Sequence, residues 1–481
     1  MALAQLPWHA VIPERLQFLT NDDLPPMELS RVFDEAGHDL YLVGGSVRDA
    51  FLGREVVDFD FATDARPEQV VRILRTWADG VYEVGAAFGT VGARKNGHTI
   101  EVTTYRSEAY RDDSRKPTVT FSDDIETDLS RRDFTVNSIA LALPGLEPVD
   151  PHHGLSDLAA QTLRTPLAPQ ISFGDDPLRM LRLFRFQASL GFKPDPSAIE
   201  AVREAAPRLR IISSERIRDE MSKLMVTPAP GDALRMIVDT GLADQFIPEL
   251  PNLAMEQDPY QRHKDVLAHT FAVVDKTKPS LVLRLAALLH DIGKPETREF
   301  GPDGVSFHHH EVVGARVARR RLMELRYPRE IVDDVSQLVY LHLRPHTLDM
   351  GWTDSAVRRY VRDAGHLLEP LNDLVRADVT TANPARERAI QGRIDELEDR
   401  IAILSEKEEL ARLRAPIDGH EVMEYLGLEP GPLVGEIMQR LLDRRIDDGP
   451  YSSSDAYREV REWALGRGMD DPGPPPESEE E

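Results

Sequence analysis

The sequence predicts an α+β protein: a small mixed-sheet head, followed by an elongated all-α neck and body. Three observations carry this. Over roughly the first 160 residues, short apolar or alternating runs rich in β-branched and aromatic residues (Asp39–Val43, Val56–Ala62, Thr99–Arg106) interleave with helical spacing, as at Val70, Val71 and Leu74. From about residue 170 strand signals nearly vanish, and helical patterns follow one another over Pro177–Leu190, Ser197–Ala206, Ser214–Met225, Gly231–Thr240 and roughly 263–380. The length of 481 residues, with 41% hydrophobic and 29% charged, suits a multidomain globular chain rather than a disordered one.

Residues 1–26, with Pro7, Pro13, Pro25 and Pro26, read as an appended N-terminal arm. The head spans 27–163 and opens with a helix over 27–37 that stops at Gly37. A helical neck over 164–228 and a helical body over 229–380 follow. Residues 381–465 form a C-terminal helical tail, in which Ile390, Ile394, Leu397, Ile401 and Leu404 alternate spacings of four and three. That spacing marks a helical seam, packed on the chain's own body or in an antiparallel pair or short coiled coil. Residues 466–481, with three successive prolines and a Glu-Ser-Glu-Glu-Glu end, are expected to be a solvated, disordered acidic tail.

The absence of cysteine excludes disulfides, thiolate metal sites and cysteine nucleophiles. The longest apolar run, Leu281–Leu289, is interrupted by Arg284 and falls far short of the roughly 18–20 residues that span a bilayer. No basic region followed by an apolar core opens the chain, so a soluble, cytoplasmic protein without membrane contact is expected. The formal charge of −25, from 83 acidic and 58 basic residues, argues as a total against a nucleic-acid partner. Local fields rather than totals steer a ligand, however, and residues 470–481 alone contribute six carboxylates and no base.

Asp58 and Asp60 stand in Val-Val-Asp-Phe-Asp-Phe-Ala-Thr, where strand alternation turns both carboxylates to one face and Phe59 and Phe61 to the core. Carboxylates so close repel unless a cation lies between them, and magnesium, a hard ion preferring oxygen ligands, suits the pair. Glu101 could add a third carboxylate from a neighbouring strand. An Asp-x-Asp alone is a weak signal. Here Gly44-Gly45-Ser46-Val47-Arg48 follows a strand and opens a helix thirteen residues or so before the pair, a glycine turn that lets backbone approach phosphate. Arg48 could bind a triphosphate oxygen.

These segments resemble the class II tRNA nucleotidyltransferase and poly(A) polymerase superfamily. Leu-Val-Gly-Gly-Ser-Val-Arg-Asp and Asp-Phe-Asp-Phe-Ala-Thr-Asp are followed, in the family's order, by Glu-Val-Thr-Thr-Tyr-Arg, by Arg131-Arg132-Asp133-Phe134-Thr135-Val136-Asn137 and by Asp175-Asp176-Pro177-Leu178-Arg179. The motifs cover roughly residues 40–225; the family often has Glu-Asp where this chain has Asp175-Asp176. The resemblance implies a nucleotidyltransferase head with Asp58, Asp60 and Glu101 in the catalytic centre. It also implies nucleotide contacts from Gly44, Gly45, Arg48, Arg132, Asp176, Arg179, Arg182 and Arg185.

Asp176, Arg179, Arg182 and Arg185 recur every three residues and would form one drifting polar stripe on a helix. Solvated surface arginines on a capped helix would have the same spacing. The base chemistry is sharper: cytosine and adenine both offer an exocyclic amine beside a ring-nitrogen acceptor. Asp176 could accept from the amine and Arg179 donate to the ring nitrogen, whereas guanine and uracil would set a carbonyl against the carboxylate. The resemblance implies this role in CCA-adding enzymes. The polar segment between Arg106 and Thr118 is read as a flexible loop of the kind that in this family accompanies the switch from C to A addition.

His269, His290-Asp291 and Asp378 resemble the metal-ligand set of the HD superfamily, which implies an HD-type helical domain. The resemblance implies a mononuclear or a dinuclear site, the latter with His310 and His342. Imidazole and carboxylate ligands suit a divalent transition metal. Arg203, Arg208, Arg210, Arg216, Arg218 and Arg319-Arg320-Arg321 are solvated helix faces or contacts to RNA phosphates. The function expected is template-independent addition of CCA to the tRNA 3′ end, along the acceptor stem, from CTP and ATP with magnesium. Poly(A) polymerase, an HD metal-dependent phosphohydrolase with an auxiliary head, and a noncatalytic tRNA-binding module are the alternatives.

Overall fold

The computed structural model describes the chain apart from residues 1–13, 22–23, 84, 86–88, 112–113, 256–264, 302–303, 346–351, 380–383, 409–413 and 477–481. Fifteen of the 26 residues of the expected arm and the final five residues of the expected acidic tail therefore lie outside the described residues. The chain forms two compact units: Met1–Asn252 with Glu324–Tyr327, and Leu253–Met323 with Pro328–Glu481.

The first unit begins with a 3-10 helix, Glu14–Thr20, and helix α1, Pro25–Glu35. Its sheet strands are β1 (Leu40–Val43), β2 (Asp58–Thr63), β3 (Gly80–Tyr82), β4 (Thr90–Lys95), β5 (His98–Thr104), β8 (Ala140–Ala142) and β9 (Glu147–Val149), with β6 (Arg106–Arg111) and β7 (Ser114–Phe121) between β5 and β8. The seven strands are ordered β3-β4-β5-β2-β1-β8-β9. Only β2 and β5 run parallel; the other neighbours are antiparallel, so the sheet is mixed. Alternation places Phe59, Phe61, Ile100 and Val102 in a dry core, with α3 (Pro67–Trp77) burying Val70, Val71, Ile73 and Leu74. Helix α2, Gly45–Leu52, follows β1 without a loop.

Arg106–Thr118 is not the loop its polarity suggests. β6 and β7 pair antiparallel, Arg106 opposite Phe121 and Ala109 opposite Thr118, as a hairpin separate from the main sheet. Backbone pairing requires no apolar side chains, so a charged hairpin carries a loop-like composition.

Short helices α4 (Ile125–Ser130) and α5 (Gly154–Ala160) complete the head. α6 (Pro169–Asp175), α7 (Leu178–Leu190), α8 (Pro196–Ala205), α9 (Ser214–Met225) and α10 (Gly231–Asp239) follow, and the two-residue strands β10 (Thr162–Leu163) and β11 (Lys193–Pro194) pair in parallel. α7 buries Leu178, Met180, Leu181, Leu183, Phe184 and Phe186 and packs on α9. α10, expected to open the body, lies within this unit. So do residues 324–327: Arg218 donates to the Arg326 carbonyl at 2.7 Å and Ser222 to the Tyr327 hydroxyl at 3.2 Å.

The second unit is helical, with α11 (Val266–Lys276), α12 (Leu281–Leu289), α13 (His310–Glu324, its last residue in the first unit), α14 (Arg329–Leu341), α15 (Asp354–Ala364), α16 (Leu368–Asp378), α17 (Pro384–Glu408), α18 (Gly419–Leu426), α19 (Pro432–Asp448) and α20 (Ser453–Gly466). One hairpin, β12 (Arg298–Gly301) with β13 (Gly304–Phe307), interrupts them where no strand was expected; glycine and charged residues dilute its pattern. Ile394, Leu397, Ile401 and Leu404 of α17 are buried, and the helix packs on α15 and α16 of its own chain. The segment expected to be a disordered tail is ordered at its start. Arg461 grips Asp471 with two bonds of 2.6–2.7 Å, and Tyr425 donates to the Gly473 carbonyl at 2.7 Å.

Candidate active site and metal cluster

In the first unit the carboxylates gather where β2 and β5 run side by side. The register sets Asp60 opposite Glu101 and Asp58 opposite Thr99, while Phe59 and Phe61 point inward. Asp58 is exposed and Asp60 half-buried. Burial, then Glu101 and Asp58, push the Asp60 carboxyl up to about 6 against the pull of Arg132 and Arg48.

The turn from β1 to α2 borders this face. Gly44 has φ of +72°, and a Cβ there would stand 3.0 Å from Arg132 Nη1 and 3.6 Å from Asp60 Oδ2, so only glycine fits. Ser46 ties the turn to β2: its hydroxyl donates to the Asp58 carbonyl and accepts from the Asp60 N–H, both at 3.0 Å. Arg132 is steered by Asp128, a fully buried carboxylate that accepts from Arg132 at 3.1 Å and from Arg131 at 2.6 Å. The sequence assigned no role to Ser46, which stands inside the quoted glycine motif, or to Asp128, three residues before Arg131.

A second polar network joins the head to α7. Arg48 donates to Asn137 Oδ1 at 2.7 Å, Asn137 donates to Asp133 at 3.0 Å, and Asp133 pairs with Arg182 at 2.6 Å. Burial opposes ionisation of Asp133, but Arg182, Asn137, Arg179 and the Phe134 N–H outweigh it and hold its carboxyl at about 2. Arg185 pairs with the buried Glu220 of α9 at 2.6 Å. Phe186 lies among the guanidinium groups of Arg48, Arg182 and Arg185, 5.3, 5.7 and 4.0 Å from its ring centroid. Asp133 and Asn137 were quoted within a motif without a role, and Phe186 and Glu220 were given no site role; the pairings Arg48–Asn137 and Arg185–Glu220 span 89 and 35 residues and leave no local mark.

The Arg179 N–H donates to the Asp176 carbonyl at 3.0 Å, but the two side chains bond to different partners. Asp176 sits in extended conformation between α6 and α7. Its Oδ1 accepts from the Leu178 N–H at 3.1 Å and its Oδ2 from Arg216 of α9 at 2.9 Å. Arg179 is buried and donates to Ser172 Oγ at 2.8 Å and to the Arg131 carbonyl. Several arginines expected to meet RNA are engaged within the chain: Arg208 with the Gly174 carbonyl, Arg203 with Glu200, Arg218 with Asp219 and Arg319 with Asp333.

In the second unit five elements deliver six side chains to one point. His269 comes from α11, His290 and Asp291 from the end of α12, His310 from the start of α13, His342 from the end of α14 and Asp378 from the end of α16. His269 Nε2 lies 2.9 Å from Asp378 and 3.3 Å from His290 Nε2; Asp291 lies 3.2 Å from His290 and 3.4 Å from His310. Gly293 makes this possible: a Cβ there would lie 2.3 Å from the His310 carbonyl and 2.6 Å from the Gly314 nitrogen. His290, His310 and His342 each place Nδ1 2.6–2.8 Å from the carbonyl three residues earlier. A carbonyl only accepts, so each Nδ1 carries a proton and each Nε2 is left to face the cluster. The Nε2 atoms of His310 and His342 are buried without a hydrogen-bond partner. Burial, then His290, lower His342 to about 3, leaving a neutral imidazole. A nitrogen-rich donor set with orphaned lone pairs fits a transition metal, and two groups sharing Asp291, His269–His290–Asp291 and Asp291–His310–His342, have the spacing for it.

Fold and sites together define a nucleotidyltransferase-type head on a helical body that carries an HD-type cluster. Comparison with known proteins bears on the same regions. A model of the poly(A) polymerase head domain matches residues 40–164, one described as a probable RNA- and SrmB-binding site of polymerase A matches 191–253, and an HD domain model matches 264–383. The chain is 33% identical over 440 residues to the A-adding tRNA nucleotidyltransferase of Deinococcus radiodurans, covering 88% of this chain and 95% of that one. It belongs to the tRNA nucleotidyltransferase and poly(A) polymerase family. It is also 41% identical over 233 residues to the CCA-adding enzyme of Streptococcus pneumoniae, covering 48% of this chain and 56% of that one, so it matches only about half the length of that relative. The structure of the Bacillus stearothermophilus CCA-adding enzyme in complex with CTP superposes with a TM-score of 0.66 at 26% identity, over 95% of this chain and 99% of that one. No described helix is long and apolar enough to cross a membrane.

Proposed function

We propose that this chain adds CCA to the 3′ end of tRNA, without a nucleic-acid template, using CTP and ATP in the cytoplasm. The observation that carries the reading is the alignment of Asp60 with Glu101, beside Asp58 and under the Gly44 turn and Arg132. These three carboxylates would hold magnesium, which when bound supplies charge neutralisation at an attacking hydroxyl and a leaving pyrophosphate. The terminal ribose hydroxyl of the RNA gives its proton to solvent as its oxygen bonds to the α-phosphorus, the bond from that phosphorus to the bridging oxygen breaks, and pyrophosphate departs. Gly44 and Gly45 let backbone approach the triphosphate; Arg48 and Arg132 supply positive charge beside it. Asp176 and Arg179 read the incoming base, with Arg182 and Arg185 along the same helix.

The division of labour runs along the chain: catalysis in 27–163, base reading and RNA contact from 164 onward in the rest of the first unit, and metal holding by the HD domain of the second unit. His269, His290, Asp291 and Asp378, with His310 and His342, would hold a divalent transition metal.

Purified protein, freed of host enzyme, is given tRNA lacking its 3′ CCA and tRNA ending in CC, with each nucleotide in turn. The expected result is two CMP additions and one AMP on the first substrate, and AMP alone on the second. Asp58→Ala and Asp60→Ala should abolish all three. Long A tracts on either RNA would point to a poly(A) polymerase instead. A second reading is favoured by the Deinococcus relative, which the alignment covers almost end to end and which is named an A-adding enzyme. Under it, CMP is never incorporated and tRNA ending in CC alone receives AMP.

A further inference from the structure

We propose that Arg216 is a specificity-determining positioning residue, which orients the Asp176 carboxylate for reading the amine edge of C and A; this rests on Asp176 being the base reader. Each carboxylate oxygen is held by a different element. Oδ1 accepts from the Leu178 N–H at 3.1 Å, in the first turn of α7, and Oδ2 accepts from Arg216 at 2.9 Å, from the first turn of α9. Two donors on two oxygens set both the plane of the carboxylate and its character as an acceptor. A carboxylate offers about four lone-pair sites, so each oxygen keeps one for a ligand amine.

The backbone of Asp176, extended between two helices, is tied to both: its N–H donates to the Ser172 carbonyl at 3.2 Å and its carbonyl accepts from the Arg179 N–H at 3.0 Å. With the backbone fixed, the rotation of the carboxylate is set by its two side-chain bonds. The surrounding segment is also braced by Arg208, which donates to the Gly174 carbonyl at 3.0 Å, one residue before the Asp175–Asp176 pair. Arg182 also lies near Asp176, but its guanidinium pairs with Asp133 at 2.6 Å. Arg216 is 41% exposed on its side chain against 18% for Asp176, so it approaches the carboxylate from the solvent side while its partner stays sheltered.

A free carboxylate in that position could rotate its acceptor oxygens away from the amine, and would then admit uracil or guanine. Arg216 therefore supports discrimination through Asp176 without touching the base.

The test is incorporation from competing CTP, ATP, UTP and GTP on tRNA lacking CCA and on tRNA ending in CC, with Arg216→Ala, Arg216→Gln and Arg216→Lys beside Asp176→Asn. Arg216→Ala and Arg216→Gln should each lower the preference for C and A over U and G by on the order of tenfold, with KM for tRNA changed less than twofold or so. Arg216→Lys should recover most of the preference, and adding Arg216→Ala to Asp176→Asn should cause no further loss. Should Arg216→Ala fail to fold, Arg216→Gln, which keeps a donor but not the charge, carries the same test. The proposal is overturned if the Arg216 variants raise KM for tRNA with discrimination intact, since Arg216 is then a phosphate contact. It is equally overturned if they raise activity with CTP and ATP, since the ion pair then restrains Asp176. If Asp176→Asn itself keeps full discrimination, the base-reader assignment falls, whatever Arg216 does.

Discussion

Burial first, and then the neighbouring Glu101 and Asp58 carboxylates, disfavour the charged form of Asp60. With its carboxyl raised to about 6 in the folded chain, the native state binds a proton more tightly than the unfolded state, whose aspartates titrate near 3.8. Stability is therefore lost as pH rises from about 4 through about 6, the opposite of an ion-paired aspartate. In chelator, Asp60→Asn should raise the melting temperature at pH 7.5 and have little effect at pH 4, while removing nucleotide incorporation at any pH. A melting temperature that falls at pH 7.5 would refute the disfavoured-carboxylate account. Magnesium should oppose the proton, so the acidic limb of the pH–rate profile should move to lower pH as magnesium increases. At this scale the site was legible wherever chemistry is local. Asp-x-Asp fixes two carboxylates on one face by the period of a strand, and a glycine pair after a strand marks a turn. Arg48 and Arg182 were legible as basic residues, but not the Asn137–Asp133 bridge between them, since a pairing over such separations leaves no mark in either neighbourhood.

Elements are held together here by close approaches as much as by apolar area. The turn after α12 lies against the start of α13 because neither Gly293 nor Gly314 has a side chain. Gly293→Ala would drive a methyl group into the His310 carbonyl and should destabilise the second unit by about 1–3 kcal/mol. Metal content after purification should fall with it, since His310 would be displaced from Asp291; full metal content in a well-folded Gly293→Ala protein would show that the approach is not needed. Helices with strong apolar periodicity, such as Ser214–Met225, were plain in the sequence and appear with the same bounds. The hairpins Arg106–Phe121 and Arg298–Phe307 were hidden for a common reason. Charged and small residues satisfy a ladder of backbone hydrogen bonds without the alternation that announces a strand. The α17 seam was visible as a period of three and four; that it lies on α15 and α16 follows only from the tertiary fold.

For the whole molecule, the two titratable centres lie in separate compact units, and each has its own carboxylates. Changing His290 and Asp291 to alanine together should abolish transition-metal binding and leave CMP and AMP incorporation within a few-fold of the parent. A well-folded double variant as inactive as Asp58→Ala would show that the units depend on each other. The division into units also has a bearing on how the protein can be taken apart. Residues 324–327 return to the first unit after 71 residues spent in the second, and Arg218 and Ser222 grip them there. A gene truncated after the codon for Asn252 would thus encode a head and neck missing a splint, and its melting transition should come several degrees below that of the same unit in the full chain. Adding the complementary fragment should restore part of the difference. Modules of this protein are accordingly not beads to be restrung; a functional graft of the head has to carry a foreign tetrapeptide, or a substitute for it, from far down the chain.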